Sequence, residues 1–302
     1  MMNADPIAGI ESLGYTQREA AFLYLVGVHS GYFVRRQFDY FTDRNKGALV
    51  MRFLEKARIA GHIESLDYRQ GWHVYHLCSR TIYRLLGNPE SQLRRRKGDA
   101  QVRARLMTLD YVLENDGDHY VESDTERVRF FIEDRRIALH LFAGSNGHLH
   151  PLLTSFPVSL GDRMQPSLSV VRFVFVDEGL ATTERFLRFL SVAEPLLRAV
   201  GNFELVYVSC SDFSLLAARD AFWSRFSGAS PRSLPLFADE DRPVATQPRA
   251  TLQAKFTTLL LGYCYPRLQR SEVRGSKEGS HAEREQANQT PAAHIDSGQG
   301  DE

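Results

Sequence analysis

Apolar residues at Ala20, Ala21, Leu23, Tyr24, Leu25 and Val28 recur at the spacing of one helical face, and the segment ends at Gly31. Its start carries Thr16-Gln17-Arg18-Glu19, a capping box in which the Thr hydroxyl and the Glu carboxylate satisfy free N–H groups. A short helix is expected from Val34 to Phe41, with Arg35 and Arg36 at its start. Thr42-Asp43-Arg44-Asn45 reads as a turn into a third helix, from about Lys46 to Ala60. There the apolar positions are Leu49, Val50, Phe53, Leu54 and Ala57, and Gly61 stands where a left-handed C-terminal residue is expected. Two β-leaning runs then flank Tyr68 to Gly71, which predicts a hairpin. Three helices and a hairpin in this order read as a winged helix-turn-helix.

Beyond the hairpin, Ser79 to Leu86 reads as a short helix or strand, and Val102, Leu106, Leu109 and Leu113 predict a longer helix. A second capping box, Ser123-Asp124-Thr125-Glu126, opens another. Val170 to Val176 is a β-rich apolar run, followed by helical spacing at Phe186, Phe189, Leu190, Ala193, Leu197 and Val200. Phe203 to Ser209 is a second such run, with a helix after it through Phe222 and Phe226. Strand, helix, strand, helix implies parallel strands with a right-handed crossover. Ile137 to Phe142 and Leu149 to Leu160 are expected to add strands, and Ala250 to Tyr265 a last helix. From Gln269 the composition is that of a disordered tail. The fold class expected is α+β, a winged helix followed by an α/β domain with a small, partly parallel sheet. The layout is a lead (1–14), the winged helix (15–90), a basic linker and connecting helix (91–122), the α/β domain (123–266) and the tail (267–302).

Charge changes this picture. The 302 residues hold 37 basic and 37 acidic groups, so the formal net charge is zero. Residues 15 to 108, however, carry 17 Lys and Arg against 8 Asp and Glu, and the remainder carries 20 against 29. The basic part coincides with the winged helix, which points to double-stranded DNA as its partner. Arg44 and Asn45 in the turn, and Lys46 and Arg52 on the third helix, are placed to reach base edges and phosphates in the major groove. Arg35 and Arg36 suit phosphates, and Arg69 and Gln70 at the hairpin tip suit the DNA backbone or minor groove. Cys78, Cys210 and Cys264 are odd in number and widely spaced, so neither a disulfide framework nor a cysteine-built zinc site is expected. The chain shows no secretory leader and no apolar run of membrane-spanning length, so a cytoplasmic protein without membrane contact is expected.

The acidic strand end Asp177-Glu178, with Asp162 upstream, is the weak candidate for catalysis. The module resembles the restriction-endonuclease-type fold, whose site holds Mg²⁺ with an Asp and a Glu-x-Lys. No Lys occurs between Lys97 and Lys255, because the chain has 32 Arg and only 5 Lys. The Pro-Asp position, if it corresponds to Phe156-Pro157-Val158-Ser159, carries Val. A degenerate, non-enzymatic domain is therefore expected, with Asp177 and Glu178 ending a strand and facing water. His140, His148 and His150 show no ligand spacing that completes a zinc site, so no metal or other cofactor is expected.

The stretch Thr16 to Leu77, and Val170 to Gly179 with its following helix, resemble the replication-relaxation family and kindred proteins of bacterial plasmids and integrative elements. That resemblance implies a DNA-binding regulator of transcription, replication or transfer on a mobile element. The α/β domain would then mediate homodimerisation or hold a partner protein. A Mg²⁺-dependent nuclease and an antitoxin-like interaction protein are the alternatives.

Overall fold

Thr16 caps α2 (Gln17–Leu25) as a full capping box, and the helix continues into a single π turn, Val26–Ser30. The turn closes on Gly31 at φ 76°, a left-handed conformation that favours glycine. Before it lies α1 (Pro6–Glu11), started by Asp5, whose carboxylate accepts from the Ile7 N–H. After it come β1 (Tyr32–Phe33), α3 (Arg35–Phe41), α4 (Gly47–Ile59), β2 (Ile63–Tyr68) and β3 (Trp72–Leu77). The three strands form an antiparallel sheet in the order β1-β3-β2. α5 (Arg80–Leu85) and α6 (Asp99–Glu114) follow. This is a computed structural model, describing residues 5–42, 47–68, 71–138, 141, 157–160, 170–179, 183–226, 252–261 and 265. The chain divides into a large unit, Met1–Arg270, which holds every described residue, and a small one, Ser271–Glu302.

The second half carries β4 (His119–Tyr120), α7 (Asp124–Arg129), β5 (Val158–Leu160), β6 (Val171–Val176), α8 (Thr183–Val200), β7 (Asn202–Ser209), α9 (Asp212–Phe226) and β8 (Gln253–Leu260). Their sheet runs β4-β5-β6-β7-β8. The first three strands are antiparallel neighbours, whereas β6, β7 and β8 are parallel. The molecule is thus a mixed α+β fold with one partly parallel sheet. Strand alternation splits the core across this sheet. Phe173, Phe175, Phe203, Leu205 and Tyr207 face α8 and α9. Val174, Val176, Val206 and Val208 face α6 and residues of the N-terminal sheet, among them Tyr32, Leu66 and Val74.

Two expectations change. The segment read as a last helix, Ala250 to Tyr265, contains the strand β8. Its exposure alternates along most of its length, Phe256 joins the α8/α9 side and Leu259 the α6 side, and Thr257 and Thr258 are β-branched. Pairing with β7 over eight positions, Asn202↔Gln253 to Ser209↔Leu260, outweighs its weak helical pattern. Of the upstream apolar runs, only Val158–Leu160 is a strand among the described residues; Ile137 and Ala138 lie outside regular structure. The tail from Gln269, half of the first run and most of the second lie outside the described residues.

Candidate nucleic-acid interface

α4 buries one face and presents another. Val50, Phe53, Leu54 and Ala57 are in the core, with Phe53 stacked on Phe38 of α3. On the outer side Met51, Arg52, Glu55, Arg58 and Ile59 are exposed. Between α3, α4 and the β2–β3 hairpin lies an open groove of about 770 Å³. Arg35 and Arg36 line it at one side, Met51 and Arg58 along α4, and Trp72 and His73 on β3.

The candidate residues fare differently. Arg35 is half-exposed and, among the described residues, its ion pair is with Asp39, one turn on, at 3.6 Å. Arg52 is exposed on α4. Arg36 turns inward: its Nη2 donates to both oxygens of Asp110, at 2.9 and 2.8 Å, and to the Tyr265 hydroxyl at 2.7 Å. Burial works to lower the Arg36 pKa, but the Tyr265 hydroxyl and the Asp110 carboxylate together raise it. Arg36 therefore ties α3 to α6 more than it faces the groove. Arg44, Asn45, Lys46, Arg69 and Gln70 lie outside the described residues.

The sequence reading missed Arg58 and Trp72. Met51, Glu55 and Arg58 follow i, i+4, i+7 spacing, so the signal for Arg58 was present in the helix periodicity. His73 is exposed and 2.8 Å from Asp67. Several basic groups of residues 15 to 108 are paired with carboxylates of the same segment. Lys56 pairs with Glu19, Arg58 with Glu55 at 2.9 Å, Arg80 with Glu90 at 2.6 Å, and Arg96 with Glu64. Arg58–Glu55 and Arg80–Glu90 are exposed at both ends, and such an exposed ion pair contributes only about 0–1 kcal/mol.

The acidic strand end differs from expectation. Asp177 and Glu178 do not face water: both are buried. Asp177 accepts from the Gly179 N–H at 2.9 Å and from the Tyr207 hydroxyl at 2.7 Å. Burial, and the hydrogen bond to this carboxylate, push the Tyr207 pKa up. Glu178 is paired with Arg185 of α8. A buried carboxylate must be hydrogen-bonded or paired, which accounts for both arrangements. Asp162, His140, His148 and His150 lie outside the described residues. Among the described residues no group of three or more His, Cys, Asp and Glu could hold a metal ion, and no helix is long and apolar enough to cross a membrane. No family model, curated protein or solved structure matches this chain.

Proposed function

We propose that this protein binds double-stranded DNA in a sequence-specific manner through α4 and the β2–β3 hairpin, and does so without catalysis. The observation that carries the reading is the order helix, strand, helix, helix, strand, strand from α2 to β3, with β1 on β3 and an outer face of α4 left exposed. We read that order as supporting a winged helix-turn-helix, a motif whose second helix of the pair enters the major groove. Arg52 would read or brace the groove, Arg35 and Arg58 would hold phosphates, and Arg36 would position α3 from behind. The resemblance to the replication-relaxation family adds a role in transcription, replication or transfer of a bacterial mobile element. The test is a mobility-shift series with the full chain on duplex DNA, including the sequence upstream of its own gene. Binding is expected to fall with salt, and Arg35→Ala to reduce the log–log slope by about 0.9, one phosphate contact. No salt-sensitive shift on any duplex, or variants at Arg35 and Arg52 that bind like the parent, would overturn it.

A partner-protein role for the second half rests on α9, where Phe213 is 80% exposed and Leu216 and Trp223 are also outward. Apolar side chains gathered on one helix mark a contact face more often than scattered ones do. Light scattering across a concentration series, with Phe213→Asp as the comparison, tests it. A dimer lost in that variant supports self-association, and a monomer throughout removes it.

A further inference from the structure

A further cavity shares no lining residue with the groove. It has a volume of about 610 Å³ and sits between α6 and the carboxyl end of β6, where Val176 and Glu178 border it. In open α/β sheets this end of the strands is where ligands are held. Lys97, Gln101 and Arg105 line one side and Arg185 the other. Among the described residues the one carboxylate in the lining, Glu178, is already bound by Arg185. Arg105 is different: it is partly buried, and among the described residues no carboxylate pairs with it. Burial lowers its pKa, although the guanidinium remains charged. Burial, then the neighbouring Arg105 and Arg95, also lower the pKa of Lys97. A guanidinium partly out of water and without a carboxylate beside it is stabilised by an anion brought against it.

We propose that this cavity binds a small phosphate-bearing anion of mononucleotide size, with the phosphate held by Arg105 and Lys97. The planar guanidinium offers paired N–H donors that match two phosphate oxygens, and the ammonium adds a point charge. α6 opens at Gly98 without a side-chain cap and with Asp99 in its first turn, where Ala100 and Gln101 border the cavity. The volume lies within the range of small-molecule sites and leaves room for a base beside the phosphate. This proposal does not rest on DNA binding by α4.

The experiment is calorimetric titration of the full chain with adenosine monophosphate, inorganic phosphate and adenosine. The nucleotide and the phosphate are expected to bind, and adenosine is not. Arg105→Met is expected to weaken the nucleotide about ten-fold or more. The same variant is expected to melt at or above the parent, because it removes a cation that no carboxylate neutralises. Lys97→Gln gives a second reading at a position outside the core, again with weaker nucleotide binding. Failure of both phosphate probes to bind, or equal affinity in both variants and the parent, would overturn the proposal. So would displacement of the nucleotide by a short DNA duplex in proportion to its phosphates, which would assign the cavity to the DNA backbone.

Discussion

Arg172 on β6 shows what one side chain does inside this fold. Its Nε donates to Glu204 on β7 at 3.1 Å, and its Nη1 to Asp118. Glu204 is held further by Lys255 at 2.9 Å and by Thr257 at 2.5 Å, both on β8. The pairings Arg172↔Glu204 and Glu204↔Lys255 come from the strand register itself, so the row follows from parallel pairing. Burial would raise the Glu204 pKa, but the hydrogen bonds from Thr257, Lys255 and Arg172 together bring it below 4.5. A carboxylate depressed in this way adds stability that is present above 4.5 and is lost as pH falls through its folded value. Arg172→Met is therefore expected to cost about 3 kcal/mol near neutral pH, at the lower end for a broken buried pair because Lys255 and Thr257 remain. Urea unfolding at a series of pH values checks it. The gap between variant and parent should narrow as the pH is taken below 4.5. A gap that stays constant into acid would mean that Arg172 acts through its packing and not its charge.

At the scale of elements, the helix ends are the best place to ask what the glycines do. Gly31 and Gly61 both adopt left-handed backbone, at φ 76° and 65°. A methyl group built on Gly31 would meet the Leu93 carbonyl oxygen at 2.5 Å, whereas one on Gly61 would meet nothing within 4 Å. Gly61→Ala should then cost only the conformational strain, about 1–2 kcal/mol, and Gly31→Ala about 3 kcal/mol or more, because a backbone carbonyl must move as well. Equal losses in chemical denaturation would refute the close approach at Gly31. Both stops were legible in the sequence, as were the Thr16 and Ser123 capping boxes and the β2–β3 hairpin, because each is specified by neighbouring residues. What was not legible depends on distant partners. β1 has two residues, too few to show a period, and is defined by its pairing with β3. β8 is defined by β7, and its alternation is too mild to outweigh a helical reading in isolation. The same holds at the sites. The exposed face of α4 could be read from spacing, but the inward turn of Arg36 could not, since Asp110 and Tyr265 lie 74 and 229 residues away.

On the scale of the whole molecule, α6 decides how the halves behave. It reads from sequence as a connector after a basic linker, yet its residues enter two cores. Leu109 and Leu113 pack with Phe22, Phe53 and Ile82 of the N-terminal helices. Val102, Leu106, Met107, Tyr111 and Val112 pack with Val74 of β3 and with Val174 and Val206 of the second sheet. The Tyr265 hydroxyl adds a polar tie, donating to Asp110 of α6 at 2.7 Å while Arg36 and Gln37 of α3 donate to it. The charge split follows the same logic: a basic segment ending at residue 108 leaves out Asp110, the carboxylate that neutralises Arg36. A helix shared by both cores cannot leave one without uncovering the other, so the N-terminal sheet and the second sheet should unfold together. Differential scanning calorimetry of the full chain is expected to give one transition with equal calorimetric and van't Hoff enthalpies. Leu106 is fully buried within the shared cluster, and Leu106→Ala should lower that transition as a whole, by about 2–5 kcal/mol, without dividing it. Two resolved transitions, one of them unmoved by Leu106→Ala, would show that α6 belongs to one half alone and that the second sheet merely rests against it.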